Sequence, residues 1–221
     1  MGVASGTDAV NVAGGPTTGE STTGDQRPVK RRRGAARGRI LDAAARRFYA
    51  DGVTATGIDT ITAEAGVAKM SLYNNFDSKA DLVRAYLMAR HEEWLGLYEH
   101  RLTAAAPGPA AAVLAVFDAY ADHAELAYEH GFRGCGLLNA AAELPAGHPG
   151  RAVVRAHKEE VESLLAAHLR ELLPGQEERA AGLAEHLAFL LEGAVVRAGL
   201  EGDSTRVRHA RELASSLVAA L

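Results

Sequence analysis

The sequence is short of sulfur, aromatic rings and long apolar runs. With a single cysteine, Cys135, it closes no intramolecular disulfide and builds no multi-thiolate zinc or iron–sulfur site, and it suits a reducing compartment. Aromatic residues make up 5% of the chain and proline only 7 residues, whereas arginine outnumbers lysine 20 to 4 in a sequence crowded with alanine. That composition favours helix and excludes an all-β sandwich or barrel. No apolar run approaches the roughly 18 residues of a membrane span; the greasiest stretch, 187–200, is broken by Glu192 and Arg197. The opening MGVASGTDAV lacks the charged start and apolar stretch of a secretory leader, and Gly6 stands where myristoylation needs Ser or Thr. A cytoplasmic location without membrane contact is therefore expected.

The usual marks of catalysis are missing as well. There is no G-x-x-x-x-G-K-[ST], no G-x-S-x-G, no glycine fingerprint after a strand, and no strand period on which to build such folds, so neither enzyme nor cofactor is expected. All 9 histidines follow residue 90. None has a second histidine four positions on or an acid three positions before it, so zincin and di-iron patterns are absent and no metal site is expected.

What is present begins with charge. The net charge of −4 hides an acidic stretch over 1–26, a basic one over 27–83 and an acidic remainder, the pattern of a chain that touches a polyanion with one segment only. Residues 1–35, rich in Gly, Thr, Ser and Ala without periodicity and ending near Lys30, Arg31, Arg32 and Arg33, are expected to form a disordered tail with a basic arm.

From Arg37 the spacing of Ile40, Leu41, Ala44 and Phe48 predicts a helix ended by Gly52. A short helix over 58–65 follows, with Thr56 placed to cap it. Gly66 and Val67 make a turn, and a third helix runs from Ala68 to about Asn74. Ser78 and Asp81 form a capping pair that opens a long helix to about Leu102. Two short helices across a tight glycine turn, braced by a preceding helix, make a helix-turn-helix over 36–82.

The stretch ILDAAARRFYADGVTATGIDTITAEAGVAKMSLYNNFDSKADLVRAYL resembles the N-terminal DNA-binding domain of the TetR family (TetR/AcrR type) of bacterial transcriptional regulators. Matching positions include Ile40, Ala44, Phe48, Gly52, Thr56, Ile61, Gly66, Val67, Leu72, Tyr73, Phe76, Ser78, Lys79 and Leu82. The resemblance implies that the third helix enters the major groove, with Lys69, Met70, Ser71 and Asn74 at base edges. It also implies that Thr56, Tyr73 and Lys79 hold phosphates, with Asn75 at the same face. Arg33 and its basic neighbours would add affinity more than specificity by reaching the adjacent minor groove. Ala68 departs from the usual capping Ser or Thr, Met70 from a small residue, and Asn74 and Asn75 from the aromatic or histidine residues common there.

Beyond residue 83, Pro and Gly punctuation divides the chain into helices over about 110–130, 137–144, 151–173, 176–199 and 204–220, nine helices in all and an all-α fold. The helix over 176–199 is too apolar for a single contact face, since Leu183, Leu187, Leu190, Leu191, Ala194, Val195 and Ala198 form a stripe that Phe189, Val196 and Leu200 extend. With Leu213 and Leu217 of the last helix, the resemblance implies a homodimer on a palindromic double-stranded DNA site. Seven of the 12 aromatics fall within 86–132. Trp94, Tyr98, Phe117, Tyr120 and Phe132, with His91, His123, Asn139, Glu143 and His157 as polar members, are candidates to line an effector pocket or simply to pack a core. The resemblance implies a repressor released by a small-molecule effector. An activator, or a helical interaction protein that has lost DNA reading, remains an alternative.

Overall fold

The computed structural model describes residues 27–126 and 128–221, with side chains from Gly34 onward. Among these it is all α: α1 (Arg27–Asp51), α2 (Ile58–Ala65), α3 (Lys69–Tyr73), α4 (Lys79–Ala104), α5 (Pro109–Ala124), α6 (Gly136–Ala142), α7 (Pro149–Leu172), α8 (Glu177–Glu201) and α9 (Thr205–Ala219). The helices match the expected order and punctuation, with one clear difference at the start. The backbone is already helical from Arg27, where a tail was expected up to residue 35. Arginine and alanine are good helix formers, and Pro28 lies in the first turn, where no intrahelical N–H is needed. The expected tail over 1–26 and the side chain of Arg33 lie outside the described residues.

Helices α1 to α3 pack on one another and on the start of α4. Ile40, Ala44, Ile61, Leu72 and Leu82 are fully buried between them. The α1–α2 contact is reinforced by Arg46 and Arg47, which pair with Glu64 at 2.6 and 2.7 Å. The Arg37 guanidinium lies over the Phe76 ring at 4.8 Å. Gly66, with φ 61°, closes α2 in the left-handed conformation that glycine adopts without strain. Ser78 caps α4 as expected, accepting from the Asp81 N–H at 3.1 Å, but the Asp81 carboxylate returns to Asp77 N at 3.4 Å rather than to the cap residue itself.

The remaining helices form a bundle around α5, which packs against α4, α7 and α9, while α8 lies between α7 and α9. Val113, Val116, Phe117 and Ala119 of α5 are fully buried. Its acids bind α9: Asp118 takes Arg211 at 2.6 Å, and Glu125, just beyond its end, takes Ser204 at 2.8 Å and also Arg208. Two histidines lie in this core. Burial, with the Lys158 ammonium and His91 nearby, brings His157 down to about 3. Burial, with Arg90 and Lys158 nearby, brings His123 down to about 4. Both are neutral at physiological pH.

Two outcomes follow. Gly199 of α8 meets the loop before α6 so closely that a Cβ there would fall 2.5 Å from Gly134 N. Gly199→Ala is therefore expected to destabilise the fold by roughly 1–3 kcal/mol, whereas Gly96→Ala, with nothing within 4 Å, is expected to add about 0.5–1 kcal/mol; urea unfolding of both variants checks the pair. The histidines give the second. Their folded pKa values lie below the ordinary value of about 6.5, so the unfolded chain binds more protons below that pH. Stability is complete above pH ~6.5 and is lost as pH falls toward the folded values. Unfolding free energy measured at pH 7 and pH 5 should fall by about 2 kcal/mol less in His157→Gln than in the parent. An equal fall in both would contradict this.

Candidate nucleic-acid interface

Helix α3 is only five residues long, Lys69–Tyr73, and is held from below by Leu72, fully buried, with Phe76 just beyond it. Its other face is open. Met70 is 69% exposed and Tyr73 47%, so Tyr73 is a surface aromatic and not a core residue. Lys69 is also exposed and pairs with Asp59 of α2 at 2.8 Å; that hydrogen bond, and the Asp59 charge, raise its pKa and keep it cationic. Ala68 precedes the helix without a side-chain cap, and its backbone carbonyl accepts from Ser71 N at 2.8 Å. Lys69, Met70, Ser71 and Tyr73 therefore share the outer side of one short helix, a cation, a thioether and a phenol projecting where a base edge or phosphate can reach them. Asn74 closes the helix and is exposed.

Three expected contacts sit differently. Thr56 does not cap α2, whose cap is Gly57. It is 3% exposed, and its hydroxyl donates to Gly52 O at 2.6 Å and approaches Arg47 O at 3.3 Å, so its hydrogen goes to the end of α1. Asn75 turns its amide back to Ser71 O at 2.7 Å and closes α3 rather than extending from it. Lys79, half-buried, donates to Thr54 O at 3.4 Å and lies beside the α1–α2 turn.

That turn is also where the rest of the molecule takes hold. The Arg133 guanidinium donates to the carbonyls of Tyr49, at 3.0 Å, and Ala50, which satisfies groups left open at the C-terminal end of α1 and places a cation at the negative end of its dipole. The Tyr49 hydroxyl accepts from Arg133 N at 2.6 Å and donates to Gly134 O at 3.1 Å; burial raises its pKa to about 12, so the proton stays. Glu143, at the end of α6, accepts from Val53 N at 2.9 Å and Thr54 N at 2.7 Å. Partial burial pushes this carboxyl up, but the N–H groups of Thr54 and Val53, the Thr54 hydroxyl and nearby Lys79 together outweigh it and hold it below the usual carboxylate range.

Glu143 thus belongs to a junction with the helix-turn-helix, at the α1–α2 turn. Asn139 is exposed and donates to Arg133 O at 2.9 Å, which steadies the same loop. Of the other pocket candidates, Trp94 and Tyr120 line a small cavity with His123 and His157. Phe117, Phe132 and Tyr98 are buried core, Tyr98 bonding to His168 at 2.7 Å. His91 sits behind the cavity, 3.0 Å from His157 and 3.3 Å from Glu160. Lys158, beside Tyr120 and 3.7 Å from Cys135, pairs with Glu192 at 2.7 Å. No group of three or more His, Cys, Asp or Glu suited to a metal ion occurs among the described residues, and none of their helices is long and apolar enough to cross a membrane.

The expected dimer residues divide between two faces. Leu187, Leu191 and Val195 are buried within their own protomer and cannot reach a partner, because the broad stripe on α8 serves the bundle core. Leu183 and Leu190 are half-buried. The outward apolar set is Phe189, Val196 and Leu200 of α8, with Leu213 and Leu217 of α9.

Comparison with known proteins agrees with this geometry. The model of the family described as bacterial regulatory proteins, tetR family, matches residues 40–86. Over 56 residues the chain is 43% identical to the HTH-type transcriptional regulator TtgR of Pseudomonas putida; this is 25% of the chain and 27% of the relative, so the match spans about a quarter of the relative's length. The fold extends the likeness. A TetR-family transcriptional regulator of Streptomyces coelicolor, SCO4454, is 32% identical across 84% of this chain and 97% of its own, with a TM-score of 0.73. A TetR transcriptional regulator of Chloroflexus aurantiacus is 25% identical across 86% and 96%, with a TM-score of 0.71. With its helix-turn-helix, its outward-facing third helix and a likeness that covers 84% of its length at 32% identity, the chain belongs to the TetR family of DNA-binding bacterial transcriptional regulators.

Proposed function

We propose that the protein acts in the cytoplasm as a homodimeric repressor that leaves a palindromic DNA site when a small-molecule effector binds its helical bundle. The observation that carries this reading is the outer face of α3, where Met70 and Tyr73 remain exposed beside Lys69 while Leu72 is fixed in the core. An exposed thioether and phenol give nothing to the monomer, but they serve contacts to thymine methyls and phosphates, as Lys69 serves guanine O6 and N7.

A dimer is supported by the apolar face of α8 and α9. Phe189 is 67% exposed, Val196 54% and Leu200 84%, and a contiguous apolar face of this kind marks an interaction surface. Self-pairing through a two-fold axis would set two copies of α3 about one DNA turn apart. The effector reading is supported by the small cavity at Trp94, Tyr120, His123 and His157, and by the bonds through Arg133 and Glu143 that join the bundle to the end of α1. A ligand acts through such a connection only by favouring one of two arrangements.

The test is fluorescence anisotropy on labelled duplexes flanking the protein's own gene, with excess non-specific competitor, together with light scattering for mass. Saturable binding of two protomers per site is expected. Lys69→Ala with Tyr73→Phe should weaken binding by roughly ten- to a hundredfold at unchanged helicity, and Phe189→Glu with Leu213→Glu should give monomers. Binding abolished by competitor on every fragment would favour an interaction protein that no longer reads sequence.

A further inference from the structure

Arg90 Nε, Trp94 Nε1 and His123 Nδ1 are buried and have no hydrogen-bond partner within the protein. All three residues line the small cavity, together with Tyr120, Cys135 and His157. Each orphaned group costs about 1–3 kcal/mol, so three around one space mark it as built for a polar atom. The space is about 10 Å³, roughly enough for one water-sized group.

The three groups specify that atom. Arg90 Nε–H and Trp94 Nε1–H only donate. The Tyr128 hydroxyl donates to the His123 carbonyl at 2.9 Å, so its oxygen accepts from His123 Nε2 at 3.3 Å. That assigns the ring proton to Nε2 and leaves Nδ1 an unpaired acceptor on a residue that lines the cavity. An atom that accepts from two donors and donates to one acceptor is the oxygen of a water or of a hydroxyl, and the hydroxyl is the form in which a ligand carries it. A carboxylate or carbonyl cannot donate, and an ammonium cannot accept.

Arg90 also lines a second space of about 360 Å³, between α1, α4 and the residues Leu126, Tyr128 and Glu129, a size suited to a small molecule. Its walls include Ala45, Leu126 and the stacked rings of Tyr49 and Tyr128, 4.3 Å apart. The ions there largely neutralise one another: Arg46 with Glu64, Arg90 with Glu93 at 2.8 Å, and Glu129 with Arg47. Asp42 at the rim has no ion pair among the described residues, which makes an amine the competing head group.

We propose that cleft and cavity together bind one uncharged small molecule, its aromatic or alicyclic body against Tyr49, Tyr128 and Leu126 and its hydroxyl beyond Arg90, between the Arg90 and Trp94 donors and the His123 acceptor. This deepens the effector reading and rests on it for its consequence: the ligand body lies against α1, the helix that carries the DNA-binding unit.

Trp94 is the chain's single tryptophan and lies at the head-group end, so its emission reports occupancy of the full-length protein without reference to DNA. The probe is para-isopropylbenzyl alcohol, set against analogues in which the hydroxyl is replaced by methyl or ammonium, or the alcohol by carboxylate. The alcohol should shift Trp94 emission saturably and bind about tenfold or more tightly than the methyl analogue. His123→Phe should bring that ratio to within about twofold, as expected when the acceptor is lost, and Ala45→Leu, which fills the cleft and leaves Trp94 the single tryptophan, should weaken alcohol and hydrocarbon alike. If His123→Phe does not fold, Arg90→Met, which removes the Nε donor and keeps an apolar stem, carries the same expectation. Tighter binding of the amine or carboxylate, a retained preference in the folded variant, or no change in Trp94 with any probe up to its solubility overturns the proposal. DNA anisotropy in the same titration separates the two readings: alcohol bound with unchanged DNA affinity leaves the site standing and removes effector release.

Discussion

The C-terminal end of α1 is the constraint on which the rest depends. A helix that stops at Asp51 leaves carbonyls facing outward, and here Arg133 fills them from a loop that α6 supports, while Tyr49 returns two hydrogen bonds to that loop. Immediately after, Glu143 holds the Val53 and Thr54 amides. Gly52 permits both: its φ of 93° turns the chain, and a Cβ there would fall 2.7 Å from the Glu143 carboxylate. Because α2 and α3 hang from this turn and α1 is their brace, a few charge-assisted bonds tie the exposed face of α3 to the bundle, beside the apolar packing of α1 on α4 at Phe48 and Tyr86. Such bonds are directional and short-ranged, so a small shift of α6 or its loop is felt at the DNA-binding helices.

The bundle is arranged to make that shift meaningful. Its core is rigid where α5 meets α4, α7 and α9, yet it contains a polar seam of His91, His157, Tyr120, Lys158 and Glu192. Seams of this kind are well defined only when every member is partnered. Here Arg90, Trp94 and His123 are among the buried groups left without a hydrogen-bond partner, as are Arg47, Tyr86 and Glu93. In the proposed effector reading, a ligand that meets these groups acts by favouring one arrangement of the junction over another.

Much of this was legible in the sequence, and the boundary is physical. Helix-turn-helix residues are close in sequence and governed by local rules, so the turn at Gly66, the anchors Leu72 and Phe76 and the Ser78 cap all stand where spacing places them. The all-α order followed from Pro and Gly punctuation in the same way. Thr56 escaped because a threonine ahead of a helix has two carbonyl-rich neighbours, and the preceding helix won its hydroxyl. Glu143 and Asn139 escaped because their partners lie elsewhere: Glu143 is 90 residues from Val53, and no local pattern marks that pairing. The α8 stripe was broad enough for both a core and a partner, and only burial separates Leu187, Leu191 and Val195 from Phe189 and Leu200. The early start of α1 shows helix propensity prevailing over a charged, low-complexity appearance.

The most direct test of the junction's role is Glu143→Ala, followed by hydrogen exchange at Val53 and Thr54 and by affinity for the DNA site in the same preparation. Exchange should accelerate at those two amides and not in α7 to α9, and DNA affinity should fall by about fivefold or more, the scale of coupling between linked sites. Affinity within about twofold of the parent, with those amides freed, would contradict the claim that this junction orients the DNA-binding helices.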